Sequence, residues 1–224
     1  MKIDLHCHSY YSNDGISSPE KLIKTGLKKG LDGIALTDHD TTKSWEEAIK
    51  VAKKLNAILI LGQEIKIKKE GKTIGEILGY FLKEEINPEG KSGDEVIAEI
   101  KRQGGIAIIS HPFGWKKPFL ELEKYLRLVD GIEVFNSRSQ TKKGNQKALQ
   151  FAQKNNLSMT AGSDAHSYFE VSNAYIEAEV KNLQELKEAI LNRQVKIIGH
   201  QSPIFVQIFA IIGKLIHFFW QPKH

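Results

Sequence analysis

The 224-residue chain has a single cysteine, Cys7, so no internal disulfide can form, and a lone thiol fits a reducing compartment. Arginine is nearly as scarce. Arg102, Arg127, Arg138 and Arg193 are the four present, so the net charge of +5 rests on lysine, a mild bias toward anionic partners. The first residues, "MKIDLHCH", contain neither the apolar stretch of ~7–15 residues that a signal peptide needs nor a small-residue cleavage site, and the expected location is the cytoplasm. GxSxG, Walker and GxGxxG fingerprints are missing, and Cys7 is not placed as a nucleophile. No Pro/Gly-rich linker, internal repeat or low-complexity segment divides the chain before about residue 200. With 41% hydrophobic residues it can bury one large core, and one domain over residues 1–200 is expected.

What is there is an alternation of short β-branched runs with longer amphipathic segments. "KIDLH", "DGIALTDH", "AILILGQEIKI", "GIAIISH", "GIEVF", "SMTAGSD" and "VKIIG" read as strands. Helix-length segments lie between them, with start and stop signals at Ser18-Pro19, Gly30 and the Ser92/Glu95 pair. That order implies parallel strands joined by crossover helices, hence an α/β fold. "EIKIKKEGKTIGEILGYF" (64–81) differs, since two alternating runs around "KKEGK" read as a hairpin.

Five of eight histidines, His6, His8, His39, His111 and His166, stand at or just beyond the carboxyl end of an expected strand. In parallel α/β folds that edge binds ligands. His6 and His8 are i and i+2 on an extended segment and so share a face, whereas Cys7 points the other way and reads as a packing residue. Asp14, Asp38, Asp40, Glu64 and Asp164 recur at the same strand ends, in "TDHD", "GQE" and "GSDAH". Imidazoles mixed with carboxylates suit Zn, Mn and Fe better than Mg or Ca. The candidates outnumber the ligands of one tetrahedral ion, which implies two or three divalent ions with a bridging carboxylate.

The series "HCH", "SNDG", "TDHD", "GQE", "ILGY", "SHP", "GIEVFN" and "GSDAH" resembles the PHP family of metal-dependent phosphoesterases, named for its polymerase and histidinol phosphatase members. The match runs in family order across residues 3 to about 180. The resemblance implies a distorted seven-stranded (βα)7 barrel with its metal site at the strand carboxyl ends. It also implies that His6, His8, Glu64 and Asp164 hold one ion, that Asp14, His39 and His166 hold a second, and that Glu64 bridges to a third bound by His111. Glu76 departs from the pattern, because three-metal members usually have histidine four residues before the tyrosine of "ILGY". Glu76 either ligates through oxygen, favouring Mn or Fe over Zn, or leaves the third site weak or empty.

The expected reaction is attack on phosphorus by a metal-bound hydroxide. Asp38 is expected to assist by orienting a histidine ring, with turn capping as the alternative, and Asp40 reads as a cap. Asn136 and Arg138, at the same mouth, are candidate substrate-binding residues, the arginine as a phosphate clamp or as a surface ion pair. Lys116 and Lys117 are weaker candidates. Glu64 and His111 are only 47 residues apart, which leaves room for one hairpin and one helix and implies an open site for a small substrate. Histidinol phosphate, a nucleoside phosphate or an oligonucleotide 5′ end would fit. An amidohydrolase-type metal hydrolase and a non-catalytic PHP binding module are the alternatives.

Residues 201–224 shift to an apolar helix. Gln207, Ala210, Lys214, His217 and Gln221 form a narrow stripe, and Phe205, Ile208, Phe209, Ile212, Leu215, Ile216 and Phe219 cover most of the rest. The segment is short of a membrane span. It reads as a last barrel helix packed in the core, a homo-oligomer interface, or a membrane-surface contact aided by Lys214, Trp220 and Lys223.

Overall fold

The computed structural model describes residues 1–114, 118–139 and 142–219. Lys116, Lys117, Trp220, Gln221 and Lys223 lie outside the described residues. The apolar runs become β1 (Lys2–Cys7), β2 (Gly33–Leu36), β3 (Ile58–Lys69), β4 (Lys72–Tyr80), β5 (Ile106–Ile109), β6 (Gly131–Asn136), β7 (Ser158–Gly162), β8 (Ala174–Glu177) and β9 (Lys196–Gly199). The helices are α1 (Pro19–Lys28), α2 (Trp45–Leu55), α3 (Gly93–Arg102), α4 (Leu122–Tyr125), α5 (Lys142–Asn155), α6 (Leu183–Leu191) and α7 (Gln207–Phe219). Local chemistry sets several of their ends. Ser18 Oγ accepts from Lys21 N with Pro19 in the first turn, and Ser92 and Glu95 form a reciprocal capping box.

One sheet carries all nine strands, in the order β7-β6-β5-β4-β3-β2-β1-β8-β9. The runs β1-β2-β3 and β5-β6-β7 pair in parallel, and the β3–β4 hairpin joins them antiparallel. Past the end of β1 the sheet nearly closes on itself: His8 N donates to Ala165 O (2.8 Å) and Ala165 N to His6 O (3.2 Å), just beyond β7. The short parallel strands β2 and β5 are buried at every residue, as covered faces require.

Two expectations are corrected. The sheet has nine strands rather than seven, and it is not a strict βα repeat, because β4, β8 and β9 run antiparallel and no helix separates β3 from β4. The helix-length segment between "GIAIISH" and "GIEVF", residues 118–129, which reads as helical, forms a helix of only four residues, since Glu121 sits in the left-handed region (φ 58°) and cannot start a helix earlier.

Residues 201–219 fold back over the carboxyl ends of the strands. Ser202 N donates to Ser137 O (2.7 Å), Val206 is buried, and His217 Nε2 meets Tyr10 O at 2.7 Å. Gly213 explains how closely α7 lies, because a Cβ there would come within 2.3 Å of Asp14 O. The broad apolar face does not complete the core, contrary to one of the three readings: Ile208, Leu215 and Phe219 are 52%, 51% and 79% exposed. Among the described residues no helix is long and apolar enough to cross a membrane.

Candidate metal centre

At the end of β1 the β1–β2 register shifts between Asp4 and Cys7, an irregularity of the kind that re-aims side chains beside active sites. His6 and His8 turn to the mouth. Cys7 turns away, among Leu22, Ile34, Leu36 and Ala48. The loop after β2 brings His39, mid-β3 brings Glu64, β4 brings Glu76, and the segments after β5 and β7 bring His111, Asp164 and His166. His111 (φ 26°) and Asp164 (φ 53°) hold left-handed backbone conformations, strain of the kind stored at functional sites.

Four of these groups make a tight polyhedron. His6 Nε2 lies 3.0 Å from His8 Nε2, 3.3 Å from Glu64 Oε2 and 3.6 Å from Asp164 Oδ1. His8 Nε2 lies 3.3 Å from each of the same two oxygens. Ligands at ~2.0–2.1 Å from a tetrahedral cation are separated by roughly 3.3 Å, so these five distances match five edges of one coordination shell. The tautomer fits as well. His6 Nδ1 meets Glu133 Oε1 at 2.9 Å, and a carboxylate only accepts, so Nδ1 carries a proton and Nε2 is the nitrogen that would face a metal.

The second group joins Asp14, His39 and His166. Asp14 Oδ2 is 3.6 Å from His39 Nε2, and Asp14 Oδ1 is 3.4 Å from His166 Nε2. His166 Nδ1 donates to Asp164 O (2.9 Å), which again leaves Nε2 for a ligand. The third group sits on the other side of Glu64, where His111 Nε2 is 3.3 Å from Glu64 Oε1 and 3.4 Å from Glu76 Oε2. His39 Nδ1 also approaches Glu64 Oε2 (3.1 Å). Glu64 thus has an oxygen toward each side, as a bridging ligand must.

Such a concentration of buried charge needs cations. His8 Nδ1, His39 Nδ1 and Glu64 Oε2 are buried with no hydrogen-bond partner, a costly arrangement that coordination would relieve. Burial works against charge on His8 and His111, but the carboxylates of Asp164 and Glu64 beside His8, and of Glu64 beside His111, overcome it and push both rings up to about 9. His39 goes the other way. Burial holds it well below the usual histidine range despite the charge of Glu64. Burial raises the acids Glu64 and Asp164, yet their histidine neighbours, His6 foremost, hold both well below the usual carboxylate range.

The structure therefore gathers His6, His8, Asp14, His39, Glu64, Glu76, His111, Asp164 and His166 into one cluster. Asp38 does not orient an imidazole. Its carboxylate accepts from Ser9 N (2.6 Å) and Ser9 Oγ (2.8 Å), fixing the loop that leaves β1. Asp40 is no helix cap, because it binds Lys66 N (2.8 Å) and Lys66 Nζ (2.9 Å) on β3. The orienting carboxylate is Glu133, which besides His6 accepts from His111 N and Asn136 Nδ2, each at 3.0 Å. Its signal in the sequence is one acid inside the apolar strand "GIEVF". Ser110 was also missed, and its Oγ donates to Glu64 Oε1 (2.7 Å). Asn136 spends its amide on Glu133 and on Asp164 Oδ2 (3.3 Å), steering a ligand. Arg138 is buried at the cavity wall, with Nη1 on Glu170 Oε1 (2.6 Å) and Nη2 donating to Gln207 Oε1 of α7 (3.4 Å). The cavity over the cluster holds about 200 Å³ and is roofed by Gln207, Ala210, Ile211 and Lys214.

Residues 4–209 match the family model for the PHP domain. An uncharacterised protein of Methanocaldococcus jannaschii is 34% identical over 192 residues, covering 83% of this chain and 73% of its own. Among solved structures, a two-domain protein from Bacteroides vulgatus containing a predicted PHP-like metal-dependent phosphoesterase superposes with TM-score 0.74 at 25% identity, over 95% of this chain and 69% of that one. A lesion-specific endonuclease from Pyrococcus furiosus shares the fold with TM-score 0.62 at 17% identity, over 88% of this chain and 57% of that one.

Proposed function

The chain belongs to the PHP domain family, and from that premise we propose that it is a phosphoesterase dependent on two or three divalent ions of Mn, Zn or Fe, acting on a small phosphomonoester or the phosphate of a nucleotide or oligonucleotide end. The observation that carries this reading is the five ligand-to-ligand distances of 3.0–3.6 Å among His6, His8, Glu64 and Asp164. When bound, divalent ions supply hydroxide near neutral pH and offset charge developing on a phosphoryl group.

The protein side chains do the rest. His6, His8, Glu64 and Asp164 form one ligand set, Asp14, His39 and His166 the second, and His111 with Glu76 completes the third through Glu64. Glu133 fixes the His6 ring and the His111 backbone, so one carboxylate sets two ligands. Asn136 holds Asp164, and Arg138, anchored by Glu170, presents positive charge at the wall.

The test is a substrate panel on the metal-loaded protein, comparing a phosphomonoester, a dinucleotide and an amide with Mn, Zn and Fe in turn. Hydrolysis of a phosphate ester that stops on chelation and in Glu64→Gln supports the reading. Amide cleavage alone would favour the amidohydrolase alternative, and no turnover with full metal content a non-catalytic module.

A further inference from the structure

The polar stripe of α7 faces the wrong way for simple packing. Hydrophobic burial alone would turn Ile208, Ile212, Leu215 and Ile216 inward, yet these are exposed, and Gln207, Ala210 and Lys214 line the cavity instead. Gly213 seats the helix against Asp14, and the next residue, Lys214, projects Nζ to 4.0 Å from Asp14 Oδ2. That separation is too long for a hydrogen bond, so the ammonium is steered to the mouth without being tied down. The other non-imidazole cation on the described cavity wall, Arg138, already has a close carboxylate partner in Glu170.

Resting on the phosphoesterase reading, we propose that Lys214 is a substrate-binding residue that pairs with the terminal phosphate of the substrate, and that α7 thereby selects phosphomonoesters over phosphodiesters. A monoester dianion brings twice the charge of a diester to a cation at the mouth, so its attraction to Lys214 is about double. Size acts in the same direction. The cavity of about 200 Å³ is smaller than the ~300–1,000 Å³ of ordinary small-molecule clefts, so with α7 seated the space directly over the cluster suits a terminal phosphoryl group, the rest of the substrate extending toward the open side.

Calorimetric titration of inorganic phosphate into the full-length, metal-loaded protein tests this without requiring turnover. Lys214→Gln should weaken phosphate binding on the order of tenfold, the size of one charge-assisted contact, and Lys214→Arg should restore most of it. In parallel, KM for p-nitrophenyl phosphate should rise in Lys214→Gln by a similar factor while that for bis(p-nitrophenyl) phosphate rises only about threefold, half the free-energy effect. Equal phosphate affinity in wild type and Lys214→Gln at equal metal content, or no phosphate binding by the wild type, would overturn the assignment. A wild type that binds phosphate through Lys214 yet hydrolyses neither ester would leave this assignment standing and overturn the hydrolytic reading instead.

Discussion

Glu133 and Glu76 are both buried acids at the site, and they differ in what they touch. Glu133 contacts His6, His111 N and Asn136, so Glu133→Gln should leave the ligand set in place while loosening the His6 ring. We expect affinity for the tightest ion to fall by roughly 10–100-fold, read by competition with a chelator of known strength. Unchanged affinity would mean that the ring is held by something else. Glu76 faces His111 and His39 directly. Glu76→His should keep the fold and move metal preference toward Zn, and identical metal content and preference in both proteins would show that Glu76 is not a ligand. Most of the clustered residues were legible because they stand at or just beyond the end of an apolar run, where strand geometry puts the side chain at the mouth; Asp14, in the loop after β1, and Glu76, within β4, do not. Glu133 was not, because one acid within a strand says nothing about which neighbouring strand it will meet. Asp38 misled for a related reason: adjacency to His39 in sequence put it beside the right residue but facing Ser9.

At the scale of elements, the alternation of runs and amphipathic segments located seven strands and the helices between them, though it overstated α4, and the Glu64–Phe81 hairpin was visible in its own pattern. β8 escaped notice, since "AYIE" is four residues long with no flanking signal. The orientation of α7 was equally hidden. Amphipathic spacing tells which residues share a face, not whether that face meets protein or solvent, and here the narrow polar face meets the cluster of histidines and carboxylates. Gly213 makes that seating testable. Gly213→Ala puts a Cβ where Asp14 O stands and should lift the helix at a cost of ~1–3 kcal/mol without disturbing the barrel. Hydrogen exchange across 207–219 should quicken while β1 to β7 keep their protection. Unchanged exchange in 207–219 would mean that α7 does not pack on Asp14.

Over the whole molecule, the cluster ties β1, β3, β4 and the ends of β5 and β7 together, so its ionisation is linked to stability and to metal binding. In the metal-free protein His8 and His111 sit at about 9, above the ordinary value of 6.5. A raised histidine stabilises the fold fully below about 6.5 and loses that contribution as pH rises through about 9, so the metal-free protein should become less stable across that window. A metal needs the deprotonated rings. Metal affinity should therefore climb over the same range, with protons released on binding near pH 7.5, measurable by titration in buffers of different ionisation enthalpy. No proton release would mean that these rings are neutral before the metal arrives. Chelation at pH 8 or above should lower the melting temperature most, because there neither proton nor metal offsets Asp14, Glu64 and Asp164.

The central claim, that nine clustered side chains, seven of them buried and His111 and Asp164 half-buried, form a multinuclear metal centre, is tested most directly by metal content per chain. The measurement is made on purified full-length protein equilibrated with Mn, Zn and Fe in turn and freed of loosely held ions. Two or three equivalents of at least one metal are predicted for the wild type, with a loss of more than one equivalent in Glu64→Gln while the circular dichroism of the fold is retained. A folded wild-type chain that keeps less than one equivalent of every metal would contradict the account.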